Sequence, residues 1–141
     1  MRTKNVIRYY CDHCSKGGFK KPGMAEHEAT CTLNPKRACW LCGDAGAGRD
    51  YESLVNQMRL RNDVHSDTEE ETGRPDSYST HSKEAIGWLS SKCGGCPACV
   101  LSVLRQGKIF AFDVFDYKAC VSSWHAEQNR EFRDAVFNPF E

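Results

Sequence analysis

The stretch Tyr9-Tyr-Cys11-Asp-His13-Cys14-Ser-Lys16-Gly-Gly-Phe19-Lys20-Lys21-Pro22-Gly23-Met24-Ala-Glu26-His27-Glu-Ala-Thr-Cys31 decides how this chain is read. Two cysteines separated by two residues fit a tight turn whose thiolates face one metal ion. After twelve intervening residues, His27 and Cys31 stand four apart, which on a helix puts them on one face a turn away from each other. Cys11, Cys14, His27 and Cys31 are therefore the first candidate ligand set. His13, between the two cysteines, is a bystander because His27 has the better helical placement.

The same spacing recurs downstream. Cys39/Cys42, Cys93/Cys96 and Cys96/Cys99 are also C-x2-C pairs, in a chain of 141 residues with nine cysteines. An odd count and the lack of an apolar leader segment weigh against a disulfide framework, and metal binding takes its place. Cys39-Trp-Leu-Cys42-Gly43 reads as a knuckle needing two further thiolates. Cys93/Cys96 would supply them from a second knuckle, as in a zinc ribbon. Cys96/Cys99 would supply them from the first turn of a helix opened by Pro97, as in a treble-clef finger. The second arrangement is preferred, because Pro97-Ala-Cys-Val-Leu-Ser-Val-Leu-Arg supplies the helix and its N-terminus favours thiolates. Cys93 is then a buried small hydrophobe or an alternative ligand, and Cys120 is structural. The expected cofactor is Zn2+, two ions per chain.

Residues 9–31 resemble the two-Cys two-His zinc finger family, with Cys31 in the place of the last His. Tyr9, Phe19 and Met24 fall at or near that family's three hydrophobic positions, Phe19 one residue late. The resemblance implies a ββα fold for this segment and places Lys20, Pro22 or Gly23, and Glu26 where the family reads bases. Pro22 and Gly23 offer no side-chain donor pair to base edges, so sequence-specific readout is not expected. Lys16, Lys20, Lys21, Lys36 and Arg37 are the expected contacts to nucleic-acid phosphates without regard to sequence. More broadly, Glu26-His-Glu-Ala-Thr-Cys31 and Cys96-Pro-Ala-Cys99 with the apolar helix behind it resemble small zinc-finger proteins of bacteriophage genomes. That likeness implies an alternative partner, a host protein that the chain inhibits or redirects.

Charge supports an interacting N-terminal segment. The net charge is zero, yet residues 1–42 hold eight Lys/Arg against three Asp/Glu, and residues 63–84 hold two against seven. No run is apolar enough for a membrane span, so a cytoplasmic protein is expected. The expected class is α+β: an N-terminal finger over 1–36, then a second zinc-stabilised domain over 37–141 with three to four helices and a short sheet. Asp50 is a cap for a helix striped by Leu54, Val55 and Met58, and Ser82 a cap for one carrying Ile86, Trp88 and Leu89. Residues 44–48 read as a loop and 63–80 as a mobile acidic loop. Ile109–Phe115 is the best strand, and 121–135 a closing helix that starts near Ser122 or Ser123.

No catalytic pattern stands out. Both metal sets are complete without an open position, and the chain has neither H-E-x2-H nor a phosphate-binding glycine loop. His125, Asp113 and Asp116 are the remaining polar candidates, but a lone His beside Trp124 reads as structural. The expected function is thus a non-enzymatic zinc module for a macromolecule, with no small-molecule substrate.

Overall fold

The computed structural model describes residues 1–43, 49–68, 75–111 and 113–137. Among them the chain is α+β, with five helices and two small sheets. Strands β1 (Tyr9–Tyr10) and β2 (Gly17–Gly18) pair antiparallel, Tyr9 opposite Gly18 and Tyr10 opposite Gly17. Helix α1 (Lys21–Thr30) follows, with Pro22 in its first turn where a missing N–H costs nothing. Met24 is the buried residue of α1 and packs with Cys11 and Cys31, Tyr9 and Leu33 flanking them. Phe19, expected in this core, is instead 64% exposed. Its one-residue delay relative to the family pattern carries the ring past the hairpin onto the outer surface, and Leu33 takes the inner place.

The larger core is built around α4 (Pro97–Gly107), which buries Ala98, Cys99, Val100, Ser102, Val103 and Leu104. Helix α2 (Tyr51–Arg59) lays Tyr51, Leu54, Val55 and Met58 against it, capped at its start by Asp50 accepting from the Ser53 N–H at 3.0 Å. Helix α3 (Lys83–Lys92) is capped by Ser82, whose Oγ accepts from the Ala85 N–H, and contributes Ala85, Ile86 and Leu89. It ends at Cys93, where Gly94 and Gly95 take φ of +63° and +79° and turn the chain into α4.

Three expectations change. The acidic stretch expected to be a mobile loop contains a hairpin: β3 (Val64–Thr68) pairs antiparallel with β4 (Pro75–Thr80), and β4 pairs parallel with β5 (Ile109–Phe110). Its partner strand comes from beyond α4, and Thr80 locks the base by donating to the Asp63 carbonyl at 2.8 Å. The strand expected over 109–115 is only the two residues of β5, because the Val114 and Phe115 N–H groups turn back onto the Ala111 carbonyl. The closing helix α5 (Tyr117–Phe137) begins earlier than expected, with Asp116 Oδ1 accepting from the Ala119 N–H at 3.2 Å. The loop placed at 44–48 and residues 69–74 of the acidic stretch lie outside the described residues.

The two metal-ligating regions touch. Gln106 Nε2 donates to the Thr32 and Asn34 carbonyls, Arg105 Nη1 to Thr32 Oγ1, and the Ala38 N–H to the Ala29 carbonyl at the end of α1.

Candidate metal centres

The tight turn between β1 and β2 presents Cys11 and Cys14, while α1 presents His27 and its C-cap presents Cys31. One ligand atom from each lies within 4.8 Å of the other three. Backbone N–H groups favour the thiolates: the His13 N–H donates to Cys11 Sγ at 3.4 Å. The Cys14 thiol is held down at about 7, mainly by the Lys16 backbone N–H, with His27, Cys11 and Cys31 adding to it. Cys14 Sγ and His27 Nε2 are 3.2 Å apart.

Cys39, Cys42, Cys96 and Cys99 form the second group, again within 4.8 Å. Cys39 and Cys42 stand on the turn ended by Gly43 at φ +64°. Cys96 is the N-cap of α4 and Cys99 lies in its first turn, so both sulfurs stand at the positive end of the helix dipole. Cys39 Sγ is 3.6 Å from Cys96 Sγ, and Cys42 Sγ 3.8 Å from Cys99 Sγ. Thiolates about 2.3 Å from a tetrahedral ion stand about 3.8 Å apart, whereas bonded sulfurs stand about 2.05 Å apart. Donor type, number and spacing thus fit a closed four-coordinate metal site, and the first group fits one equally.

Positive charge surrounds the second group. Arg37, 1% exposed, donates from Nη1 to the Tyr51 hydroxyl at 3.2 Å and from Nε to the Thr30 carbonyl at 3.3 Å. Burial opposes its charge, but Tyr51 and Cys39 outweigh that and raise its pKa. The Tyr51 hydroxyl in turn donates to Cys99 Sγ at 3.4 Å. Cys99 is lowered to about 5, first by the Cys96 thiol, and further by Tyr51 and Arg49. A site of four thiolates and one divalent cation carries net negative charge, and these two arginines offset it.

Cys93 is fully buried but stands outside this group, and burial pushes its thiol up to about 12. Of the residues expected to meet phosphates, Lys16, Lys20, Lys21 and Lys36 are exposed. Arg37 is not available: it is buried between the two metal regions, a role that an Arg directly after Lys36 does not reveal in the sequence. Asp113 pairs with His81 at 2.6 Å, Asp116 caps α5, and His125 is exposed, so these three do not converge on one site.

No protein-family model, curated protein or solved structure matches the chain. What fold and site define is therefore a class: a small α+β protein with two Cys/His clusters, each able to hold a metal ion. Among the described residues no helix is long and apolar enough to cross a membrane.

Proposed function

We propose that the protein is a non-enzymatic zinc module that binds nucleic acid without strong sequence specificity. Its N-terminal finger, with three cysteine ligands and one histidine, is joined to a treble-clef-type site of four cysteines. The metal is taken as zinc because thiolate-rich tetrahedral sets suit it and closed sites are structural. The treble-clef reading is supported by Cys96 and Cys99 standing at the start of α4. The observation that carries the nucleic-acid reading is the set of exposed Lys16, Lys20 and Lys21 on the N-terminal finger, with Lys36 just beyond it. Helix α1 offers Pro22, Gly23 and Glu26 to a groove, which cannot form the bidentate pairs that read bases. Mobility shift of DNA and RNA across a salt series tests this. Affinity should fall steeply with salt, and Lys20→Glu/Lys21→Glu should lower the log–log slope by about two. No complex at low salt would rule the reading out.

A second reading, a phage-encoded chain that binds and redirects a host protein, is favoured by one feature. A groove of about 670 Å³ is floored by Leu101, Leu104, Ile109 and Phe115 and flanked by Arg105 and Lys108. Copurification of one defined host protein, lost on Leu101→Glu, would support it.

A further inference from the structure

The outer face of the β1–β2 hairpin holds two exposed aromatic rings with a cation between them. Tyr10 is 62% exposed and Phe19 64% exposed. The Arg8 guanidinium carbon lies 5.6 Å from the Tyr10 ring centroid and 5.4 Å from that of Phe19. Opposite Tyr10, residue 17 is a glycine, and a Cβ there would stand 2.9 Å from Tyr10 Cε1 and 2.8 Å from Arg8 Nε. The bare backbone at Gly17 is thus what lets the ring and guanidinium lie down on the hairpin. Neither ring belongs to the finger core, which Met24, Tyr9 and Leu33 fill with the cysteines. Among the described residues nothing removes the two rings from water.

From this geometry we infer that the hairpin face, not helix α1, is the nucleic-acid contact, and that its ligand is a single strand whose bases stack on Tyr10 and Phe19. The inference rests on the nucleic-acid reading above and narrows its substrate class. Unpaired bases expose π faces that stack on aromatic rings and on guanidinium planes, whereas a duplex hides those faces between neighbouring pairs. Arg8 serves both parts of such a ligand, as a stacking plane and as a cation for phosphate. Lys16 lies in the turn of the same hairpin, and Lys20 and Lys21 follow directly from Phe19, so exposed positive charge continues on both sides of the rings. Stacking is indifferent to base identity, which agrees with a finger that has Pro22 and Gly23 at the start of its helix.

The test is fluorescence anisotropy with full-length, metal-loaded protein and three probes: oligo-dT, oligo-U and a mixed-sequence duplex, each about 15 nucleotides long. The wild type should prefer either single strand to the duplex by about tenfold or more, and Tyr10→Ala/Phe19→Ala should remove that preference while leaving salt-sensitive residual binding. Oligo-dT and oligo-U bound alike means stacking and phosphate contact alone; a preference between them adds a contact to the 2′-hydroxyl or to the thymine methyl on the same surface. Metal content of the variant is measured in parallel. If it falls, Tyr10→Leu/Phe19→Leu, which keeps the apolar bulk and removes the π faces, is used and should lose the preference too. Tighter binding of duplex by the wild type, or an unchanged preference in the ring variants, would overturn this inference and leave general nucleic-acid binding standing. No binding of any probe at low salt would overturn both.

Discussion

The buried Arg37 guanidinium and the Tyr51 hydroxyl are 3.2 Å apart, and that contact joins the end of α1 to the second thiol cluster. On one side Arg37 Nε holds the Thr30 carbonyl, and on the other the Tyr51 hydroxyl reaches Cys99 Sγ. Tyr51→Phe leaves a buried guanidinium N–H without its acceptor and should cost about 1–3 kcal/mol in denaturant unfolding. Arg37→Ala should cost more, because it also leaves the Thr30 carbonyl without its donor and removes one of the two arginines that offset the cluster's charge. Arg37→Lys should not restore stability, since an ammonium lacks the fork that reaches both acceptors. A Tyr51→Phe protein as stable as wild type would show the contact to be incidental.

Cys93 and Cys99 should behave oppositely. Cys99→Ser should reduce bound metal to one ion per chain. Cys93→Ala should keep both ions and lose only about 1 kcal/mol for a small buried side chain. Metal content of the two purified variants decides between them, and a loss of metal from Cys93→Ala would place Cys93 among the ligands.

Acid should release metal before it disturbs Asp63. The Asp63 carboxyl is held at about 2, first by Arg61 at 2.9 Å and then by the Ser82 hydroxyl that also caps α3. Its native value is depressed, so its contribution is complete above the ordinary carboxyl value of about 4 and disappears as pH falls toward 2. Thiolate and imidazole ligands protonate at higher pH in competition with the metal. Asp63→Asn should therefore be less stable by about 1 kcal/mol at neutral pH, given its partial exposure, yet share the wild-type pH midpoint for metal release. A midpoint displaced upward by a full unit would contradict this ordering.

Met24 is the one buried side chain of α1 and the centre of the small N-terminal core. Met24→Ala should cost about 2–4 kcal/mol of that region's stability. Amide exchange should rise over residues 9–31 while the amides of α4 stay protected.

Much of this structure is readable in the residues that mark its joints. Asp50, Ser82 and Pro97 each open a helix where cap chemistry puts one, and C-x2-C spacing brings together Cys39, Cys42, Cys96 and Cys99 across 57 positions. The departures have physical causes. β3 and β4 are rich in polar residues and gain order from each other and from distant β5, so apolar alternation does not reveal them. Asp116 competes with Ser122 and Ser123 as the cap of α5, and only the apolar spacing Tyr117, Cys120, Val121, Trp124 favours the earlier start. The positive charge of Arg37 suggests a surface, but its neighbours Tyr51 and Cys39 arrive only on folding.

Two separate four-ligand metal sites, each filled by one ion, are predicted to hold this fold together. Native mass spectrometry of the purified full-length chain, with elemental analysis of the same sample, tests this most directly. Two zinc ions per chain in the wild type, one after Cys39→Ser and one after Cys11→Ser, are the expected results. One ion or none in the fully folded wild type would contradict the account, and the site lost would be the one whose ligand variant leaves the count unchanged.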